Sequence, residues 1–218
     1  MTKTIAKTET QEIITNQWVK ASWSQYLAWT SDPELGKTKD YYFDGYLKIE
    51  TMGVGSLHGR INTLVILIIA LFSNAVNLPI KSLTNASYRK QGKQGAQPDI
   101  SYYIGERVHF APESRGIPNL TETPPPDLAV EISDSSLDGD EDLGRKRLLD
   151  QELGIAEYWV IRVQDCQIYG FQIVEGKSQP ITESLVIPGF SLSLLQEALI
   201  QGQTLDDGQI IAWFLQKL

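Results

Sequence analysis

Two acidic side chains carry the sharpest chemical signal in the sequence, and both sit where an acid is costly. Glu131 falls inside DLAVEIS (127–133), an apolar, β-branched run that reads as a buried strand. Strand side chains alternate faces, so Leu128, Val130 and Ile132 point one way and Asp127, Ala129, Glu131 and Ser133 the other. A carboxylate in such a strand is expensive to desolvate unless it is paired or metal-bound. Asp99 opens a second strand-like run, PDISYYI (98–104), directly after Pro98. Two carboxylates on neighbouring strands, turned to one face, suit a hard divalent cation, which takes oxygen ligands and keeps several waters. The plainer alternative is an Asp that accepts a turn N–H and a Glu satisfied by an ion pair.

Other chemistries find few residues. One cysteine, Cys166, and two histidines, His58 and His109, do not furnish a zinc site. No glycine-rich nucleotide loop precedes a helix, and Gly92 and Gly95 read as part of a polar linker. The net charge of −8 argues against a broad electrostatic grip on nucleic acid. The charge is uneven, however. Residues 81–95 carry Lys81, Arg89, Lys90 and Lys93 with no acid, and residues 134–142 carry Asp134, Asp138, Asp140, Glu141 and Asp142 with no base. Such runs read first as solvated loops, with a local basic groove guiding phosphates as the second reading. His58, in the first turn of a predicted helix, reads first as a hydrogen-bonded structural residue. Asp127 shares a face with Glu131, but its place at the head of a strand after prolines explains it without chemistry.

These residues need a sheet to hold them. An amphipathic helix is expected from Thr15 to Trp29, ended by Ser-Asp-Pro at 31–33. A hairpin follows over Tyr41 to Glu50 around Asp44-Gly45. Residues 56–73 form a helix apolar almost all round, hence buried. After the two acid-bearing strands, a helix covers Asp142 to Leu153 and stops at Gly154. A hairpin (157–163 and 167–174), a strand before Pro188-Gly189 and two C-terminal helices punctuated at 204–207 complete the chain. This order predicts an α/β protein, an α+β mixed sheet flanked by helices, as one domain over 15–218 after a flexible segment 1–14. The longest apolar run, Leu64 to Phe72, falls short of the ~20 residues a bilayer span needs. With no apolar leader at the N-terminus, a cytoplasmic location away from membranes is expected.

Pro98-Asp99, then Glu131 in a hydrophobic strand after a long gap, resembles the PD-(D/E)XK nuclease superfamily. More closely, five segments are similar to the restriction-endonuclease-like family known as Uma-two, a domain-of-unknown-function group. They are QPDISYYIG (97–105), PPPDLAVEISDSSL (124–137), the Asp142 to Lys146 spacing, GIAEYWVI (154–161), and YYFDGYLKIETMG (41–53) followed by His58. The likeness runs from about Trp23 to Leu195. It implies a restriction-endonuclease-like core with Mg²⁺, or Mn²⁺ in its place, on Asp99 and Glu131. In the superfamily a lysine two residues after the Glu polarises the water or phosphate, and here that position is Ser133. The resemblance offers Lys146 instead, whose plainer role is an i,i+4 surface pair with Asp142 worth about 0.3–0.5 kcal/mol. Relatives often carry tyrosine four residues beyond this lysine, where this chain has Asp150. His58 and Glu50 are candidates for the rim of the site. The implied activity is that of a Mg-dependent endodeoxyribonuclease, a hydrolase acting on nucleic acid and on DNA first, as a homodimer where both strands are cut. The missing in-line lysine and the acidic total favour an alternative: a catalytically inactive nuclease fold acting as a nucleic-acid or protein binding module.

Overall fold

A computed structural model describes residues 16–35, 38–51, 55–114, 116–133 and 140–218. The segment 1–14 expected to be flexible lies outside the described residues, as does most of the acidic run that follows Ser133.

The expected mixed sheet is present, with a second sheet beside it. The smaller sheet contains β1 (Val19–Lys20), β2 (Thr38–Phe43), β3 (Tyr46–Thr51), β5 (Tyr88–Lys90) and β6 (Gln94–Ala96), in the order β1-β3-β2-β6-β5. The larger contains β4 (Ile80–Thr84), β7 (Ile100–Ile104), β8 (Leu128–Ser133), β9 (Glu157–Arg162), β10 (Ile168–Val174) and β11 (Lys177–Ile181). Its order is β11-β10-β9-β8-β7-β4, and only β8 and β9 run parallel. Parallel neighbours need a long crossover, and α3 (Asp140–Leu153) supplies it.

The large sheet is covered on both faces. On one, α2 (Ser56–Ala75), α4 (Leu192–Gln201) and α5 (Asp207–Leu215) pack Ile61, Leu64, Ile68, Leu195 and Phe214 against Leu128, Val130, Ile132 and Trp159. On the other, Ala129, Tyr158 and Val160 meet Leu149 and Leu153 of α3 together with Tyr41 and Ala96 of the small sheet. The alternation along β8 therefore takes the form its sequence demands, and it turns Glu131 toward α3 and the small sheet.

The hairpin β2–β3 turns on Asp44 and Gly45, both at positive φ (49° and 77°), as a two-residue loop between twisted strands requires. Its register sets Lys39 opposite Glu50 and Tyr41 opposite Lys48 on one face. Tyr42, Leu47 and Ile49 take the other face, against Tyr26 of α1 (Trp23–Thr30).

Three expectations change. The first helix begins at Trp23, not near Thr15, because Ser22 forms a capping box with Gln25. Val19 and Lys20, ahead of that cap, pair with Leu47 and Tyr46. Gly92 and Gly95, read as part of a polar linker, lie instead in a short hairpin: β5 and β6 pair with each other around the turn at Gly92, and β6 also pairs with β2. Helix α2 is one-sided, with Thr63 and Ala70 exposed.

Gly95 lies against the Tyr26 ring, where a Cβ would run into the tyrosine hydroxyl. That hydroxyl is pinned: it donates to Asp40 Oδ1 at 2.5 Å and accepts from Arg89 Nε at 3.1 Å. Gly95→Ala is expected to cost about 1–3 kcal/mol by overpacking. Urea unfolding measures this, and an unchanged midpoint would mean that the tyrosine yields freely.

Candidate active site

Strands β7 and β8 pair with Ile100 opposite Val130. One further step along that register sets Asp99 opposite Glu131. Both are buried, at 2% and 4% exposure. The Lys39 ammonium lies 2.7 Å from Asp99 Oδ1 and 3.5 Å from Glu131 Oε2. The two carboxylates thus converge on one cation. Each is also held from behind. The Ile132 N–H donates to Asp99 Oδ2 at 2.9 Å, and the Tyr41 hydroxyl donates to Glu131 Oε1 at 2.9 Å.

Around this pair stand groups from three more elements. His58, in the first turn of α2, brings Nε2 to 3.1 Å from Asp99 Oδ1, so its ring belongs to the site rather than to helix capping alone. Lys146 of α3 turns inward, with Nζ 2.7 Å from Glu50 Oε1, 3.9 Å from Glu131 Oε2 and 4.3 Å from the Tyr41 ring centre. The Asp142 side chain, its expected surface partner, lies outside the described residues. Lys48 also reaches Glu50 Oε1, at 2.9 Å. Asp150, one helical turn beyond Lys146, is buried beside them, and Ser133 is buried at the end of β8.

Of the residues singled out in the sequence, Asp99, Glu131, Glu50, His58 and Lys146 come together. Asp127 stands apart and serves the fold: its Oδ2 accepts from the Ile104 N–H at 2.8 Å, and Arg107 lies 2.5 Å from its Oδ1. Three members of the basic run have partners within the protein. Arg89 folds inward over the Tyr26 ring and donates to Thr30 Oγ1, Lys90 donates to the Glu152 carbonyl, and Lys81 pairs with Glu113. Lys39, Tyr41 and Lys48 were not legible as site residues. Their one sequence signal is alternation: Lys39 and Tyr41 on β2, and Lys48 and Glu50 on β3, fall on a single hairpin face.

Electrostatics separate the two acids. Burial would raise the Asp99 carboxyl, but the His58 hydrogen bond and Lys39 at 2.7 Å outweigh it and hold it well below the usual carboxylate range. Burial wins at Glu131 and pushes it up to about 7, against the pull of Lys146 and Lys39 and with Asp99 and Glu50 adding to the rise. The difference follows from close contacts: His58 and Lys39 both bond Asp99, whereas the ammonium groups nearest Glu131 stand 3.5 and 3.9 Å away. Asp150 is raised well above its ordinary value by burial and by Glu131, with Lys146 opposing. At Glu50 burial is overcome by Lys146 and Lys48, which bring the carboxyl down from 4.5 to about 2.

A family model for Uma2, described as "Putative restriction endonuclease", matches residues 23–205. The chain belongs to the Uma2 family. Among solved structures it is similar to one titled a "putative nuclease belonging to DUF820" from Anabaena variabilis ATCC 29413. The two share 18% identity and a TM-score of 0.51, over 73% of this chain and 90% of that one. The likeness shows that this Uma2 protein and that one share a fold. No curated protein matches it.

The depressed Glu50 predicts acid sensitivity for this Uma2 chain. A carboxyl lowered on folding adds stability above its unfolded value, and that stability is lost as pH falls from about 4.5 to about 2. Glu50→Gln should be less stable at neutral pH, because Lys48 and Lys146 lose their shared anion, yet should lose less on acidification. Urea midpoints across that window measure the difference. Parallel pH profiles for the two proteins would contradict it.

Proposed function

We propose that this Uma2 protein is a metal-dependent endonuclease that hydrolyses phosphodiester bonds in nucleic acid, DNA first. The observation that carries the reading is the convergence of Asp99 and Glu131 on a single positive charge, Lys39 Nζ. A cation already touches one oxygen of each carboxylate, so the donors fit a small hard ion such as Mg²⁺ or Mn²⁺. Among the described residues no group of three or more His, Cys, Asp or Glu side chains is gathered to hold a metal ion, so Asp99 and Glu131 would be its protein ligands. When bound, such an ion would supply Lewis acidity to a phosphodiester oxygen and acidify water at neutral pH.

The remaining work falls to the chain's own side chains. Tyr41 and the Ile132 N–H fix the orientation of the two acids, so the site needs little rearrangement to meet its substrate. Lys146, anchored on Glu50 and 3.9 Å from Glu131, holds positive charge beside the acids and would stabilise charge developing on the phosphate oxygens. This offsets Ser133 at the usual lysine position. Cutting both strands of a duplex would take two copies of the site, hence a homodimer.

One observation favours a binding module that does not cut: each acid already has a protein partner. Cleavage assays on single-stranded, duplex and branched substrates with Mg²⁺ and Mn²⁺ separate the two readings. Asp99→Ala and Glu131→Ala should each abolish metal-dependent cleavage. Lys146→Ala should lower its rate by about 10²-fold, as loss of one preorganised charge contact does. Cleavage retained in either acid variant, with protein free of host nuclease, would defeat the assignment.

A further inference from the structure

Lys39 occupies the point where the two carboxylates meet. It is buried, and it reaches there from β2 of the small sheet, while Glu131 lies on β8 of the large one and Asp99 directly precedes β7. Its ammonium touches Asp99 Oδ1 and Glu131 Oε2. The opposite oxygens are committed elsewhere: Asp99 Oδ2 to the Ile132 N–H and Glu131 Oε1 to the Tyr41 hydroxyl. Asp99 Oδ1, which His58 Nε2 also meets at 3.1 Å, and Glu131 Oε2 are the oxygens that converge on one point, so a divalent ion bridging them would take the place of the Lys39 ammonium. Two positive charges within such distances repel strongly in a buried, low-dielectric setting, so both cannot stay.

We propose that Lys39 is a built-in competitor for the metal: it holds the two carboxylates together until a divalent cation displaces it, and it thereby sets the affinity of the site. This rests on the metal-dependent reading above. The exchange needs no backbone movement, because lysine carries its charge on a flexible four-carbon stem. Without metal, Lys39 spares the fold two buried like charges facing each other. With metal, the ion takes over that duty.

The test is calorimetric titration of Mn²⁺ into the full chain, with Asp99→Asn as the blank, comparing wild type with Lys39→Gln. Lys39→Gln should bind Mn²⁺ at least tenfold more tightly. Its thermal midpoint should fall without metal and recover with it. Equal or weaker binding in Lys39→Gln, with wild-type binding that Asp99→Asn abolishes, overturns the role of Lys39 and leaves the metal reading standing. No binding in either protein overturns both. Should Lys39→Gln not fold, the unaltered protein answers by mass-spectrometric amine labelling. The Lys39 amine should react faster when Mn²⁺ is present, and an unchanged rate overturns the proposal.

Discussion

The structure depends on how two buried carboxylates are made tolerable side by side. Asp99 and Glu131 face each other across β7 and β8, on a sheet face covered by α3 and the hairpin, where water is scarce and like charges repel. The compensation is a lysine from a different sheet, a tyrosine hydroxyl and a backbone N–H, each on a named oxygen. Removing any of them leaves an acid buried and short of partners, and so the two sheets, α2 and α3 must dock together for the pair to exist. Fold and site are one problem. The β2–β3 hairpin is less a peripheral ornament than the carrier of the positive charge that the large sheet needs.

This explains how the site stands without a lysine two residues after Glu131. A lysine there would project from β8 itself. In its place the chain gathers Lys39 and Lys48 from the small sheet and Lys146 from the crossover helix. Glu50 then becomes the shared anion that keeps Lys48 and Lys146 in position. Because the charges come from separate elements, the field at the acid pair is set by tertiary packing rather than by one strand.

What could be read from the sequence follows the same division. The alternation of DLAVEIS placed Glu131 on the face opposite Leu128, Val130 and Ile132, and the core packs that way. Asp44-Gly45 and Gly154 marked their boundaries because backbone conformation at turns is local physics. Strands β4 to β6 went unread because they are short and polar: β4 gains its partner only at β7, and the β5–β6 hairpin around Gly92 lacks the apolar alternation that marks a strand. Lys39 and Tyr41 went unread for a related reason. A charged residue in a short strand looks like solvated surface until the second sheet is known to close over it. Membership of the Uma2 family and a mixed sheet flanked by helices were legible from combined motifs, whereas the way the lysines converge was not.

The central claim is that Asp99 and Glu131 share one cation. Anomalous diffraction from crystals of the wild-type protein grown with Mn²⁺ tests it most directly. The account predicts a single strong peak between the Asp99 and Glu131 carboxylates, with Lys39 Nζ moved off Asp99 Oδ1. A Mn²⁺ peak elsewhere, with Lys39 still bridging the two acids at saturating metal, would contradict it.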